Sequence, residues 1–340
     1  MLKVARKLAK RAVMGVASVA GRHSRPSSRP LLWVLMYHRV IPHAQAFAEG
    51  EEPGMYVTPE TFARHLEWIR ECMPVVRLKD WCAQAAAGGS LAPKACAITF
   101  DDGWRDNLVH ALPALQAQRM PATIFVVSGL AGANRPFWPN RVARLLTEQP
   151  HTVATAPGLA WLRELARRVD GGLEAALGNA DARAALIGLC KQYPDELLLV
   201  RLEDAEREAG LGPPASRDML DWDEIRQMMA SGLIDIGSHT CSHLRLRHDI
   251  PPERIRQEVI DSRAQIALET GSAVDLFCYP NGDYTPATAA LVASAYRGAV
   301  TTQSGINDAS SPLCELRRIG MHEHMSSSRS AFRARLSGWV

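Results

Sequence analysis

Short apolar runs recur along this chain, and most of them stop at a polar or titratable residue. Leu31–Tyr37 ends at His38, Ala95–Phe100 at Asp101-Asp102, Leu233–Gly237 at Ser238-His239, and Val274–Tyr279 at Pro280-Asn281. Ala122–Val127, Gly298–Thr302 and Leu316–Gly320 are further short runs of the same kind. Such runs read as strands buried on both faces of a sheet. Segments of helical spacing separate them. Thr58-Pro59 opens one as N-cap and first-turn proline, with Phe62, Leu66, Ile69 and Met73 on its inner face. Strand–helix alternation requires parallel strands joined by crossover helices. Roughly seven strands, each followed by a helix or long loop, predict a barrel-like α/β domain.

The alternation fails between residues 129 and 217. Phe137-Trp138-Pro139-Asn140 leads into Ala-, Leu- and Arg-rich helical stretches with no strand among them. We read a helical insertion, 129–217, inside one domain spanning 31–340. It covers the barrel mouth or selects substrate, and both readings stand. Residues 1–30 form a basic segment followed by a Ser-, Arg- and Pro-rich flexible linker, Gly21–Pro30.

The net charge of +3 over 340 residues excludes a nucleic-acid binder as the default reading. The basic residues instead crowd at Lys3, Arg6, Lys7, Lys10 and Arg11. Leu2, Ala5, Leu8, Ala12, Val16 and Val19 recur at helical spacing, which suits an amphipathic helix on an anionic membrane surface. A weak signal peptide ending at Ser18-Val19-Ala20 is the alternative. The seven cysteines are scattered without paired spacing, which favours free thiols in a reducing compartment and therefore the first reading. The expected location is cytoplasmic or peripheral to the inner membrane.

In barrels of this class, chemistry gathers where strands end. Adjacent residues at a strand end face opposite ways, so Asp101 and Asp102 can hold different jobs. His239 and His243, four residues apart, share a face if they stand on a helical turn. With Asp102 they make a two-histidine, one-carboxylate set with an open position, suited to a divalent metal and to Zn²⁺ first. Asp101 is then the spare carboxylate for a general base, and His38 an imidazole for a general acid. Backbone N–H groups near Tyr279 are candidates to hold the oxyanion. His322 and His324 follow no comparable strand end, and spacing gives no reason to count Cys241 as a ligand.

Thr99-Phe100-Asp101-Asp102-Gly103 followed by His239-Thr240-Cys241-Ser242-His243 resembles the two leading motifs of the polysaccharide deacetylases, the NodB-homology group or carbohydrate esterase family four. Leu35-Met36-Tyr37-His38-Arg39-Val40 and Phe277-Cys278-Tyr279-Pro280-Asn281-Gly282 resemble the poly-N-acetylglucosamine deacetylase subgroup. The resemblance covers residues 31–128 and 218–320. It implies a distorted (β/α)₇ barrel and divalent-metal hydrolysis of N-acetyl groups on a saccharide, in exopolysaccharide or cell-surface glycan assembly. It makes Asp101 the base and Asp102, His239 and His243 the metal triad.

Two motifs depart from the family pattern. Met321-His322 stands where a Leu-x-His element usually supplies the acid, so His38 takes that role, as in the subgroup. Tyr279-Pro280-Asn281 replaces an Arg-x-Pro-Tyr motif, leaving Arg318 as the candidate to brace the base. Trp104, Tyr279, Asn281 and Arg318 complete the expected site as substrate-contacting groups. A non-catalytic saccharide-binding relative, and a deacetylase of a lipid-linked sugar or a small cyclic amide, are the alternatives.

Overall fold

The computed structural model describes residues 15–214 and 216–339. Seven parallel strands close into a barrel: β1 (Leu31–Tyr37), β2 (Lys94–Phe100), β3 (Ala122–Val126), β4 (Ile234–Ser238), β5 (Leu276–Cys278), β6 (Gly298–Ser304) and β7 (Leu316–Gly320). They neighbour one another in chain order, as crossover helices require. The expected (β/α)₇ architecture is present, and its distortion has a visible source. β1 runs in register with β2 from Leu31↔Lys94 to Tyr37↔Phe100. Against β7 it registers only at Leu35↔Ile319 and Met36↔Gly320. A two-residue antiparallel segment, Asn307–Asp308, fills the rest of that seam beside Leu31 and Leu32.

Side-chain alternation sorts the strands into two layers. Leu32 and Val34 of β1 point inward with Ala95, Ala97, Phe125, Cys278 and Val300. The helix Leu78–Ala86 adds Leu78, Trp81 and Cys82 to this inner cluster. Trp33, Leu35 and Tyr37 point outward, into the layer shared with the surrounding helices. There the helix Pro59–Cys72 buries Phe62, Leu66 and Ile69 completely, and its Thr58 cap accepts the Thr61 N–H at 3.2 Å.

Residues between β3 and β4 fold into successive helices, including Trp138–Glu148, Ala180–Cys190 and Asp195–Glu208. These enclose a core of their own around Val142, Leu145, Leu162, Leu186 and Leu202. The seven cysteines are free.

The start of the expected linker is packed rather than flexible. Arg22–Ser24 forms a turn, the Arg22 N–H donates to the Ser337 carbonyl, and His23 is buried. Gly21 sits so close to Ser337 that an added Cβ would lie 2.5 Å from its Cα. The amphipathic-helix reading falls mainly on residues 1–14, outside the described residues. Among the described residues, no helix is long and apolar enough to cross a membrane.

His65 is buried in the outer layer with both ring nitrogens engaged. Tyr37 Oη lies 3.1 Å from Nδ1, and Nε2 lies 2.8 Å from the Ser326 carbonyl. Burial pushes its pKa from 6.5 down to about 4, although the Ser326 bond opposes this. Between those values the unfolded chain binds the proton and the folded protein does not. Stability is therefore complete above pH 6.5 and falls toward pH 4, by roughly 3 kcal/mol in all. In His65→Gln the urea midpoint should depend less steeply on pH across this window, and an unchanged slope would contradict the assignment.

Candidate active site

β2 delivers Asp101 and Asp102 to the barrel rim, and the two carboxylates part there. Asp102 adopts φ +77 and Gly103 φ +84, so the backbone turns sharply as the strand ends. Five non-glycine residues among those described have positive φ, and four of them are Asp102, Thr240, His243 and Asn281. Strain of this kind persists only where the surroundings enforce it. Here it is concentrated on one rim.

Arg318, from β7, holds Asp101 in a bidentate pair. Its Nη1 donates to Oδ1 at 2.6 Å and Nη2 to Oδ2 at 2.7 Å. The same guanidinium donates to the Thr301 carbonyl and to Thr99 Oγ1, and lies 3.2 Å from Cys278 Sγ. Burial alone would raise the Asp101 carboxyl, but Arg318, then His38 and His239, outweigh it and hold the pKa below the usual range. His38 Nε2 lies 3.9 Å from Asp101 Oδ2, across a shared space rather than in a hydrogen bond. Asn107 Nδ2 holds the His38 backbone through its carbonyl at 2.9 Å.

Asp102 faces the two histidines. His239 Nε2 is 3.4 Å and His243 Nε2 3.6 Å from Asp102 Oδ1. The three donor atoms lie within 4.8 Å of one another. The other side of each group is occupied. Trp104 Nε1 donates to Asp102 Oδ2 at 3.0 Å, and His239 Nδ1 donates to the Cys278 carbonyl at 2.8 Å. That second bond makes Nδ1 the donor and turns Nε2 toward Asp102, the nitrogen that a metal would take in place of its proton. Burial, then the charge of His239, pushes His243 down to about 4, so its imidazole stands neutral. This donor set fits a divalent cation of zinc type. Asp101, His239 and Cys278 also cluster, but Arg318 already places a cation there.

The histidines do not share a helical turn. Residues 239–248 are an irregular loop, with φ +67 at Thr240 and +60 at His243, and these two turns bring the rings together. Glu258, from the helix Pro252–Thr270, holds that loop. Its Oε2 accepts the N–H groups of Cys241 and Ser242 at 2.8 and 2.9 Å, and its Oε1 accepts Ser242 Oγ at 2.6 Å. No motif points to Glu258; a buried-face glutamate in an amphipathic helix is the only signal.

A cavity of about 230 Å³ opens over the groups. Among its lining residues are His38, Asp101, Asp102, His239, His243 and Asn281. Three expected substrate contacts stand behind its wall instead. Tyr279 is fully buried, its Oη donates to the Cys314 carbonyl, and its N–H is spent on Val300, so it offers no oxyanion donor. Trp104 is buried beneath Asp102, with the Arg39 guanidinium 4.4 Å from its ring. Arg39 is fixed in turn by Asp106, Glu49 and Glu51. Arg318 braces Asp101 from inside the barrel. His322 and His324 do not line this cavity. Sequence reasoning gave no role to Phe137, Trp138, Glu52, Lys191 and Arg245, which do. The aromatic pair just after β3 was their one available signal.

Residues 88–156 and 192–297, slightly more than half of the chain, match the family model described as Polysaccharide deacetylase. A putative polysaccharide deacetylase of Bacillus subtilis (strain 168), YxkH, is 28% identical over 109 residues, 32% of this chain and 35% of that protein. The match thus spans about a third of that relative's length. Among solved structures, the Streptococcus pyogenes deacetylase PplD in complex with acetate superposes with a TM-score of 0.59 at 18% identity, covering 92% of this chain and 100% of that one. A de-N-acetylase from Aggregatibacter actinomycetemcomitans gives a TM-score of 0.52 at 16% identity, covering 86% and 95%. At such identities these likenesses establish the fold.

Replacing Glu258 with Ala removes the acceptor of the Cys241 and Ser242 N–H groups and of Ser242 Oγ, and so loosens the histidine loop. Zinc affinity should fall by about 10–100-fold with secondary structure retained. Calorimetric titration showing wild-type affinity would remove Glu258 from the site.

Proposed function

The chain belongs to the polysaccharide deacetylase family, and on that premise we propose that it is a metal-dependent hydrolase of N-acetyl groups on an N-acetylhexosamine saccharide. We place that reaction in exopolysaccharide or cell-surface glycan assembly. The observation that carries this reading is one cavity in which Asp101 and His38 flank the donor set of Asp102, His239 and His243. The naming of a structural relative as a de-N-acetylase supports it.

Asp102, His239 and His243 would hold the cation. When bound, a divalent metal supplies a Lewis acid that polarises the acetamide and brings the pKa of water down to about 7. Asp101 takes the proton of the attacking water on Oδ2, the oxygen nearer His38. Arg318 keeps that carboxylate ionised beforehand and fixes its direction. His38 Nε2 protonates the leaving amine, so acetate and a free amino sugar result. Asn281, at the rim, contacts the sugar. Arg245 lines the cavity and is anchored to Asp195 and to the Lys191 and Tyr193 carbonyls, which couples the helical insertion to substrate fit.

The proposal extends to a site of action in the cytoplasm or on the inner membrane surface, through the basic N-terminal segment. The free cysteines support it. Cell fractionation that finds a shortened protein in the periplasm would overturn this part.

Acetate release from N-acetylglucosamine oligomers is the direct test. Asp101→Asn and His38→Ala should each lower kcat by about 10²–10⁴-fold, and chelation should abolish turnover until metal returns. Glycan binding without acetate release, in metal-loaded wild-type protein, would refute the hydrolase and leave a binding protein.

A further inference from the structure

A second cavity, of about 590 Å³, lies on the far side of residues 50–56 from the catalytic one. That segment is the wall between them. Glu52 and Met55 face the catalytic side, and Glu51, Pro53 and Tyr56 the other. The helical insertion and the chain after β7 complete the second cavity, through Arg183 and His324 among others.

Arg183 stands out among the buried arginines. Of the five, Arg39, Arg141, Arg245 and Arg318 each pair with a carboxylate within 3 Å. Arg183 has no carboxylate partner among the described residues, although only 7% of it is exposed. Its Nη2 donates to the Leu177 carbonyl at 3.1 Å, while Nε is buried with no partner. Nη1 makes no hydrogen bond to the described residues and lies beside Gly50, where an added Cβ would come within 2.7 Å of it. The two carboxylates on the cavity wall are already engaged. Glu51 pairs with Arg39, and Glu323 accepts Thr61 Oγ1 and the Thr58 N–H.

A guanidinium cannot shed its charge in a protein, and a buried charge without a partner is strongly unfavourable. Burial pulls the Arg183 pKa down, with no neighbouring acid to oppose it. Its planar fork matches carboxylate and phosphate oxygens. His43 and His324 line the same cavity, each with Nδ1 bonded within the protein and Nε2 without a hydrogen bond to the described residues. Ala46, Phe47 and Leu177 give it apolar surface beside these polar groups.

We propose that this cavity is a separate oxyanion site, in which Arg183 binds the phosphate or carboxylate of a small organic ligand. The apolar lining suits the carbon frame that carries the anion.

The test is a thermal-shift titration of the full-length protein with inorganic phosphate, glucose 6-phosphate and glucuronate. Wild type should show a saturable rise in melting temperature, and Arg183→Gln should lose ~10-fold or more in affinity. Tighter binding of the sugar anions than of inorganic phosphate supports an anion carried on a carbon frame. Inorganic phosphate binding as tightly as either sugar anion overturns the organic part. No rise in wild type, or an equal rise in Arg183→Gln, overturns the site. Should Arg183→Gln fail to fold, Arg183→Lys decides. It keeps the charge without the fork, so weakened binding supports the site and unchanged binding refutes it. A melting temperature is independent of acetate release, so failure here is distinct from failure of the deacetylase reading.

Discussion

The Arg318–Asp101 pair fixes the geometry on which the rest of the site depends. One guanidinium, carried by β7, reaches Asp101 and Thr99 at β2, Thr301 on β6 and Cys278 on β5. A fully buried ion pair is weak evidence for stability, because desolvation offsets much of the attraction. Its value here is direction. Both Asp101 oxygens are held in place, and the carboxylate stays ionised at neutral pH.

Asp102 meets the opposite demand one residue later. Its positive φ swings the side chain toward the histidines, and Trp104 pins the oxygen that does not face them. Arg39 packs against that tryptophan and spends its charge on three acids. The donor set is thus backed by aromatic and ionic layers from the residues that follow β1 and β2. Glu258 does the same for the histidine loop from the other side.

The sequence made the barrel legible because its strands are continuous apolar runs, and parallel strands buried on both faces have to be. Asp101, Asp102, His38, His239 and His243 were legible because titratable groups at several strand ends are costly unless used. Which way a rim residue points was not legible. Tyr279 and Trp104 stand in the expected stretches, yet both turn into the core, where their polar atoms bond to the protein. The presentation of the histidines escaped too. Spacing of four suggested a helical turn, whereas positive φ at Thr240 and His243 does the work. Glu258 and Arg183 were invisible for a plainer reason, since partners brought together by tertiary packing leave no local pattern.

The seam between β1 and β7 bears on how the protein is made. Asp101 and the guanidinium that steadies it are 217 residues apart in the chain. Trp33 of β1 donates to the Leu336 carbonyl across a separation of 303. Contacts of such long range form slowly, and during synthesis the first strand emerges well before its closing partner exists. Its edge toward β7 stays open for most of translation, with only β2 available to cover the other side. The Asp101 carboxylate is therefore among the last groups to be set, and a nascent chain short of β7 carries the family's motifs without the clamp that aims them.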